Sequence, residues 1–259
     1  MNETESIIRY EWMKQIGRQA GQIALRYFDQ SVTIQQKSDL SPVTIADQES
    51  ESFLREKILS RFPEDGLLGE EFGEKKGSNR FRWVIDPIDG TRNFIRNIPI
   101  WATLISLEYE ENPVSGICYI PVWNQLYHAH RNYGAYREDK KIRVSSCSQL
   151  GESLLSYSSI EMFTTLELRQ GFESIRNKMG RSRGFCDFYG FVLLAQGSVD
   201  VMIDYGVHRW DISALKVIVE EAGGTFTDWQ GQQGLDKKDV LATNGVLFPT
   251  VLEILQKLE

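Results

Sequence analysis

Three cysteines and three histidines are all that a chain of 259 residues carries of either type. Cys118, Cys147 and Cys186 are odd in number, far apart and free of any C-x-x-C pair. That excludes a disulfide framework or a zinc knuckle and points to free thiols in a reducing compartment. His128, His130 and His208 are too few for a histidine-based metal centre or a triad; the alternation in Tyr127-His128-Ala129-His130 reads as a strand with both imidazoles on the surface. No window approaches eighteen apolar residues, which excludes a membrane-spanning helix. Residues 1–17 are polar and charged and do not fit a signal peptide, so the expected location is the cytoplasm. Positive charge is short as well: 29 Lys and Arg stand against 36 Asp and Glu, a formal net charge of −7. A broad basic footprint for nucleic acid is thereby excluded. Internal repeats and low-complexity stretches are absent.

What remains is globular in composition, with 41% hydrophobic and 25% charged residues. The length suits one large domain or two joined halves, divided near residue 145. Apolar spacing predicts helices over 6–28 and 47–61, the second ended by Pro63. Strands are expected at 83–86, 101–109 and 114–120, the last two joined as a hairpin through Glu-Asn-Pro, then at 125–130, 134–137 and 142–144. The second half predicts a strand near 153–157, helices around 187–196 and 211–222, strands at 199–204 and 239–242, and a closing helix from Pro249. Gly223-Gly224 stops the 211–222 helix. Helices alternating with antiparallel strands imply a layered α/β or α+β sandwich.

Carboxylates gather at element boundaries. Gly69-Glu70-Glu71 follows the apolar Leu67-Leu68; Asp86-Pro87-Ile88-Asp89-Gly90-Thr91 follows the strand Trp83-Val84-Ile85; Asp211 opens a helix between Trp210 and Ile212; Asp47 sits near another helix start. Each segment alone has a plain structural reading as a turn, a solvated charge pair or a helix cap. Together they are several carboxylates at the edge of a core, which need cations or protons. Hard oxygen ligands without clustered His or Cys select Mg²⁺, Mn²⁺ or Ca²⁺. The three-residue spacing of Asp86 and Asp89 matches neither an EF-hand loop nor the two-residue spacing of haloacid-dehalogenase-type phosphatases. A helix starting after Gly90 and Thr91 would aim N–H groups at an anion. Acidic metal ligands beside an anion cradle suit metal-assisted phosphate hydrolysis.

DPIDGT-x-NF at 86–94, GEE at 69–71, WDISA at 210–214, the K-x-D-x-S-P-V-T-x-A-D stretch at 37–47 and Glu221-Ala-Gly-Gly-Thr225 resemble, in order and spacing, the inositol monophosphatase family of Mg²⁺-dependent, lithium-sensitive phosphomonoesterases. The resemblance runs from about residue 7 to the C-terminus. It implies a five-layered αβαβα sandwich and two or three Mg²⁺, with Mn²⁺ as a substitute and Li⁺ and Ca²⁺ as inhibitors. By matching motif positions, Glu70, Asp86 and the Ile88 carbonyl would hold one ion, and Asp86, Asp89 and Asp211 another; Glu70 would also touch a third. Asp47 and Thr91 would orient the attacking water for in-line displacement, Glu71 would support from behind, and the N–H groups of Gly90 and Thr91 would bind phosphate oxygens. Where family members carry a small-residue run, this chain has Phe185-Cys186-Asp187-Phe188, and Asp204 stands where the family has a Glu that meets inositol hydroxyls. Asp187 and Asp204 are therefore the expected substrate contacts, and the expected substrate is a small polyol or sugar phosphate. Fructose-1,6-bisphosphate, histidinol phosphate, NADP and nucleotide phosphates are the alternatives within the superfamily; a regulatory binding protein is the alternative outside catalysis. The resemblance also implies a homodimer. His208 and Arg209 are expected to face solvent.

Overall fold

A computed structural model describes residues 2–30, 34–36 and 42–257. Residues 37–41 of the family-like stretch lie outside the described residues.

In chain order the elements are α1 (Glu3–Leu25), β1 (Ile34–Gln36), β2 (Pro42–Thr44), α2 (Ile45–Arg61), β3 (Gly66–Gly69), β4 (Gly73–Lys75), β5 (Phe81–Asp89), α3 (Thr91–Phe94), β6 (Ala102–Tyr109), β7 (Asn112–Ile120), β8 (Gln125–His130), β9 (Gly134–Arg137), β10 (Lys140–Lys141), β11 (Leu154–Tyr157), α4 (Leu166–Arg176), β12 (Arg181–Gly184), α5 (Asp187–Ala195), β13 (Val201–Tyr205), α6 (Arg209–Glu221), β14 (Thr225–Thr227), β15 (Asp239–Thr243) and α7 (Phe248–Gln256). The first large sheet has the order β10-β9-β8-β7-β6-β5-β3-β4, antiparallel except where β3 meets β5. The second has the order β12-β11-β13-β15-β14 and is mixed: β11 runs parallel to both its neighbours.

Alternation along the strands stacks these sheets into five layers. On β6, Ile105 and Leu107 pack with Met13 and Ile16 of α1 and Leu54 and Ile58 of α2. Ala102 and Leu104, on the other face, join Phe191 and Leu194 of α5 and Leu215 and Ile218 of α6. On β13, Met202 faces that same middle layer, while Val201 and Ile203 pack against Phe172 of α4 and Val251 of α7. A sheet apolar on both faces must be covered on both faces, and two such sheets give helix–sheet–helix–sheet–helix.

The middle helix α6 lies against β7 because of one missing side chain. A Cβ on Gly116 would come within 2.4 Å of the Ala214 carbonyl oxygen and 2.8 Å of its Cα. Backbone cannot yield as a flexible side chain can. Gly116→Ala is therefore expected to destabilise the fold by roughly 1–3 kcal/mol and to push α6 outward; thermal denaturation and turnover of the variant check both.

Several expectations shift. The hairpin turns at Glu110-Glu111, with φ of 49° and 64°; β7 then begins at Asn112, and a register irregularity after Leu107 accommodates Pro113. Two left-handed residues suit the twist of a two-residue hairpin loop. Residues 142–144 are not a strand; β9 pairs with Lys140–Lys141 instead. β3, β4, β12 and β14 escape the sequence reading because they are short, and α4 because it buries only Gly171, Phe172 and Ile175. His128 and His130 do lie on a strand, but both are buried. Tyr10 Oη meets His128 Nδ1 at 2.6 Å and Ser115 Oγ meets His130 Nδ1 at 2.7 Å. Burial lowers the pKa of both imidazoles. The helix α1 covers the face that alternation alone left open to solvent.

Candidate active site

Asp86, Asp89 and Asp211 come together where β5 ends and α6 begins, with one carboxylate oxygen of each lying within 4.8 Å of the others. β5 directs Trp83 and Ile85 toward α1 and α2, so Asp86, one step out of phase, faces the middle layer. The register then breaks between Asp86 and Asp89. Asp86 Oδ1 accepts a hydrogen bond from the Ile88 N–H at 2.9 Å, a local side-chain bond within the bulge before Asp89 rejoins the ladder opposite Ala102. Gly90, at φ 89°, caps α3, and Thr91 Oγ1 donates to the Ile88 carbonyl at 3.0 Å. Asp89 Oδ2 accepts from the Phe188 N–H at 2.8 Å, tying β5 to the first turn of α5. Asp211 is the third residue of α6, not its cap: its Oδ2 accepts from the His208 N–H at 2.7 Å.

The remaining expected residues surround this cluster. Glu70, on the turn after β3, lies close enough to Asp86 to share a hydrogen bond with it. Asp47 sits in the first turn of α2, where its Oδ2 accepts from the Thr44 N–H at 2.8 Å and the Thr44 hydroxyl at 2.7 Å. Ala46 beside it packs in one cluster with Ile88, which brings the start of α2 against the β5 turn. Glu71 turns its backbone N–H to Glu51 at 2.7 Å.

Crowding sets the electrostatics. Burial, then the charges of Glu70, Asp89 and Asp211, hold the Asp86 carboxyl well above the usual carboxylate range. Burial, then Asp187 and Asp211, do the same to Asp89. Without a cation such a cluster keeps protons; a hard divalent ion would restore full ionisation, and an all-oxygen donor set fits Mg²⁺ or Mn²⁺. The residues therefore fit a divalent metal centre.

Beside the cluster opens a cavity of about 510 Å³, lined among others by Asp89, Asp211, Asp187, Asp204, Glu161 and Arg92. Asp204 follows the alternation of β13 from Met202 into the middle layer. It is 5% exposed, and its Oδ2 and Oδ1 accept from the Ser158 hydroxyl and the Tyr205 N–H. Burial, against those two hydrogen bonds, pushes its pKa up to about 7. Asp187, the first residue of α5, is also raised by burial and Asp211. Both expected substrate contacts thus line one cavity with two of the clustered carboxylates.

Arg209 does not face solvent. Its Nε donates to Glu108 Oε1 at 2.8 Å and its Nη1 to Asp236 Oδ1 at 3.1 Å. His208 stays half exposed, stacked on Trp210 with ring centroids 4.9 Å apart. Sequence reasoning passed over Arg92, Ser158 and Glu161, and over the buried supports Glu51 and Glu108. Glu51 had a signal: it stands four residues after Asp47 on a stripe shared with Ser50, Leu54 and Ile58, all buried. Ser158 and Glu161 had none, since only the fold brings their segment to the cavity, and Glu108 had none because its partners Arg82 and Arg209 come from distant elements.

The sequence profile of the inositol monophosphatase family matches residues 9–259. The chain is 35% identical to a histidinol-phosphatase of Chlorobaculum parvum over 235 residues, 90% of this chain and 91% of that protein. It is 36% identical to a histidinol-phosphatase of Mycobacterium tuberculosis over 233 residues, 88% of this chain and 90% of that protein. The solved structure of an inositol monophosphatase from Zymomonas mobilis superposes with a TM-score of 0.86 at 31% identity, covering 99% of this chain and all of that one. The family profile spans nearly the whole chain, and the chain belongs to the inositol monophosphatase family of metal-dependent phosphatases.

Proposed function

We propose that this phosphatase hydrolyses a small phosphomonoester whose leaving alcohol carries a positively charged nitrogen. The observation that carries the reading is the cavity lining: Asp187, Asp204 and Glu161 stand beside the metal cluster with Arg92 as the lone cationic side chain among the described lining residues. Bound metal ions would compensate Asp89 and Asp211 and leave these three carboxylates to the leaving group, and unlike charges at close range in a partly buried site attract strongly. The histidinol-phosphatase relatives support the same chemistry.

Glu70, Asp86 and the Ile88 carbonyl would hold one Mg²⁺, and Asp86, Asp89 and Asp211 another, with Glu70 also reaching a third. Bound ions supply an activated water and neutralise charge on the transferring phosphoryl group. Asp47 and Thr91 orient that water, Asp47 through a carboxylate fixed by Thr44 and Thr91 through a hydroxyl fixed on the Ile88 carbonyl. Gly90 and Thr91 direct backbone N–H groups at the phosphate, and Glu71 supports the turn that carries Glu70. Asp187 and Asp204 bind the leaving alcohol. Inhibition by Li⁺ and Ca²⁺, a homodimeric assembly and a cytoplasmic location accompany this reading. A polyol or sugar phosphate is the second reading, favoured by the likeness to the Zymomonas mobilis enzyme and by carboxylates that accept equally well from hydroxyls.

Phosphate release from histidinol phosphate, inositol 1-phosphate, fructose 1,6-bisphosphate, NADP and a nucleoside bisphosphate, with Mg²⁺ or EDTA and with Li⁺, separates the readings. The expected result is Mg²⁺-dependent release with the highest kcat/KM on histidinol phosphate. Asp204→Asn should lower that value about 10- to 100-fold, as loss of a charged hydrogen bond does, with little effect on uncharged alcohols. Preference for inositol phosphate would favour the polyol reading, and no release from any ester would favour a binding protein.

A further inference from the structure

Glu51 takes no part in the chemistry above, yet its carboxylate is completely buried. Its Oε2 accepts from the Glu71 N–H at 2.7 Å, and its Oε1 accepts from the Phe72 N–H at 3.1 Å and from Arg55 Nε at 2.7 Å. Arg55 in turn donates through Nη2 to the Gly73 carbonyl. Two side chains one turn apart on α2 therefore hold residues 71–73 of the turn between β3 and β4, and Glu70 stands immediately before them on that turn. The grip also explains the glycine of the Gly-Glu-Glu motif: a Cβ on Gly69 would lie 2.1 Å from Glu51 Oε1.

We propose that Glu51, with Arg55, is a positioning residue that sets the metal affinity of the site by holding Glu70 against Asp86. The helix whose first turn carries Asp47 supplies, four residues on, the anchor for the turn that carries Glu70. The charge of Glu51 is balanced by Arg55, so its carboxylate accepts from two backbone N–H groups without being an isolated buried charge. Its role is to orient the turn, and supporting groups behind metal ligands change metal affinity by roughly 10- to 100-fold when lost. The inference rests on Glu70 being a metal ligand.

The test is Mn²⁺ binding to the metal-free full-length protein, by calorimetry and by the loss of the free-ion electron paramagnetic resonance signal, beside the Tm without metal. Glu51→Gln turns one acceptor into a donor facing an N–H, and should weaken Mn²⁺ binding about 10- to 100-fold. In the same variant the apparent Mg²⁺ requirement rises while turnover at saturating Mg²⁺ returns close to the parent value. Gly69→Ala should reproduce the weakened binding from the other side of the contact, and Arg55→Met should give a smaller loss; these two carry the test if Glu51→Gln does not fold. Asp65→Asn, in the separate buried network with Arg9 and Trp83, should lower the metal-free Tm and leave Mn²⁺ binding unchanged. Parent-like Mn²⁺ affinity in the folded Glu51, Gly69 and Arg55 variants overturns the positioning role. Failure of the parent protein to bind Mn²⁺ overturns instead the metal reading beneath it.

Discussion

Asp86→Asn is expected to cut phosphatase turnover by about a thousandfold or more while leaving the fold intact. Asp86 is the residue on which the cluster turns: it shares a hydrogen bond with Glu70, contributes an oxygen to the group with Asp89 and Asp211, and fixes the Ile88 backbone. Asparagine retains the Oδ1 that accepts from Ile88 but loses the charge. Transition-state stabilisation by a bound metal amounts to several kcal/mol, and each 1.36 kcal/mol is about tenfold in rate. Near-parent turnover of Asp86→Asn at saturating Mg²⁺ would remove the site assignment.

The same variant has an opposite effect on the metal-free protein. The folded-state pKa values of Asp86 and Asp89 are raised, and that of Asp204 reaches about 7. The folded chain therefore holds protons that the unfolded chain releases. Stability from these groups is fully present below the ordinary carboxylate range and is lost as pH rises through the raised values. In EDTA, Tm should fall from about pH 4 toward about pH 8, and added Mg²⁺ should restore it. Asp86→Asn removes one crowded charge, so its Tm at neutral pH in EDTA should equal or exceed that of the parent. A Tm in EDTA that rises toward neutrality would contradict the crowding.

Glu108→Ala carries the largest expected loss of stability. Glu108 is fully buried. Its Oε2 accepts from Arg82 Nε and Nη2 at 2.9 and 2.7 Å, and its Oε1 accepts from Arg209 Nε at 2.8 Å and from the Ser213 hydroxyl at 3.1 Å. The network fastens the first turn of α6 to β5 and β6, two residues before Asp211. Removing its anionic centre leaves two arginines facing each other. Breaking a buried pair costs about 3–5 kcal/mol; the arginine side chains are 20% and 17% exposed, so water reaches them and the lower end, about 3 kcal/mol, applies. For a chain of this size that corresponds to roughly 6–12 °C in Tm. Turnover should fall too, because α6 is no longer held where Asp211 meets Asp89. Glu108→Gln, which keeps an acceptor, should fall between parent and Ala. An unchanged Tm for Glu108→Ala would show that Ser106, Ser213 and the apolar face of α6 hold the helix unaided.

Local chemistry in the chain announced a good deal of this. The apolar run before Asp86, the Asp-Pro and Asp-Gly turn formers and the capping pattern of Thr44 and Asp47 are short-range signals, and helices and strands form where those signals put them. An excess of carboxylates at element ends, with few histidines or cysteines, was enough to indicate a hard-cation site. Even the net charge of −7 would read differently if the six acids Asp47, Glu70, Glu71, Asp86, Asp89 and Asp211 serve the one proposed site. Two or three bound divalent ions would bring four to six positive charges there, which would attract a phosphate that the bare count repels.

Tertiary structure alone decided the rest. The period of a strand tells which residues share a face, but not whether a helix will cover that face, so His128 and His130 looked exposed until α1 lay over them. Nothing adjacent to Glu108 in the sequence foretells that Arg82 and Arg209, from a strand and a helix over a hundred residues apart, meet on its carboxylate. The family-like positions pointed to Asp187 and Asp204, but nothing in the sequence joined Arg92, Ser158 and Glu161 to them, because the cavity walls come from segments separated by long stretches of chain. Metal chemistry could be read in the sequence because its ligands must occupy turns with strong local rules. The full substrate pocket, beyond Asp187 and Asp204, could not, because it is defined by distances between segments, and those exist only after the two sheets have packed around α5 and α6.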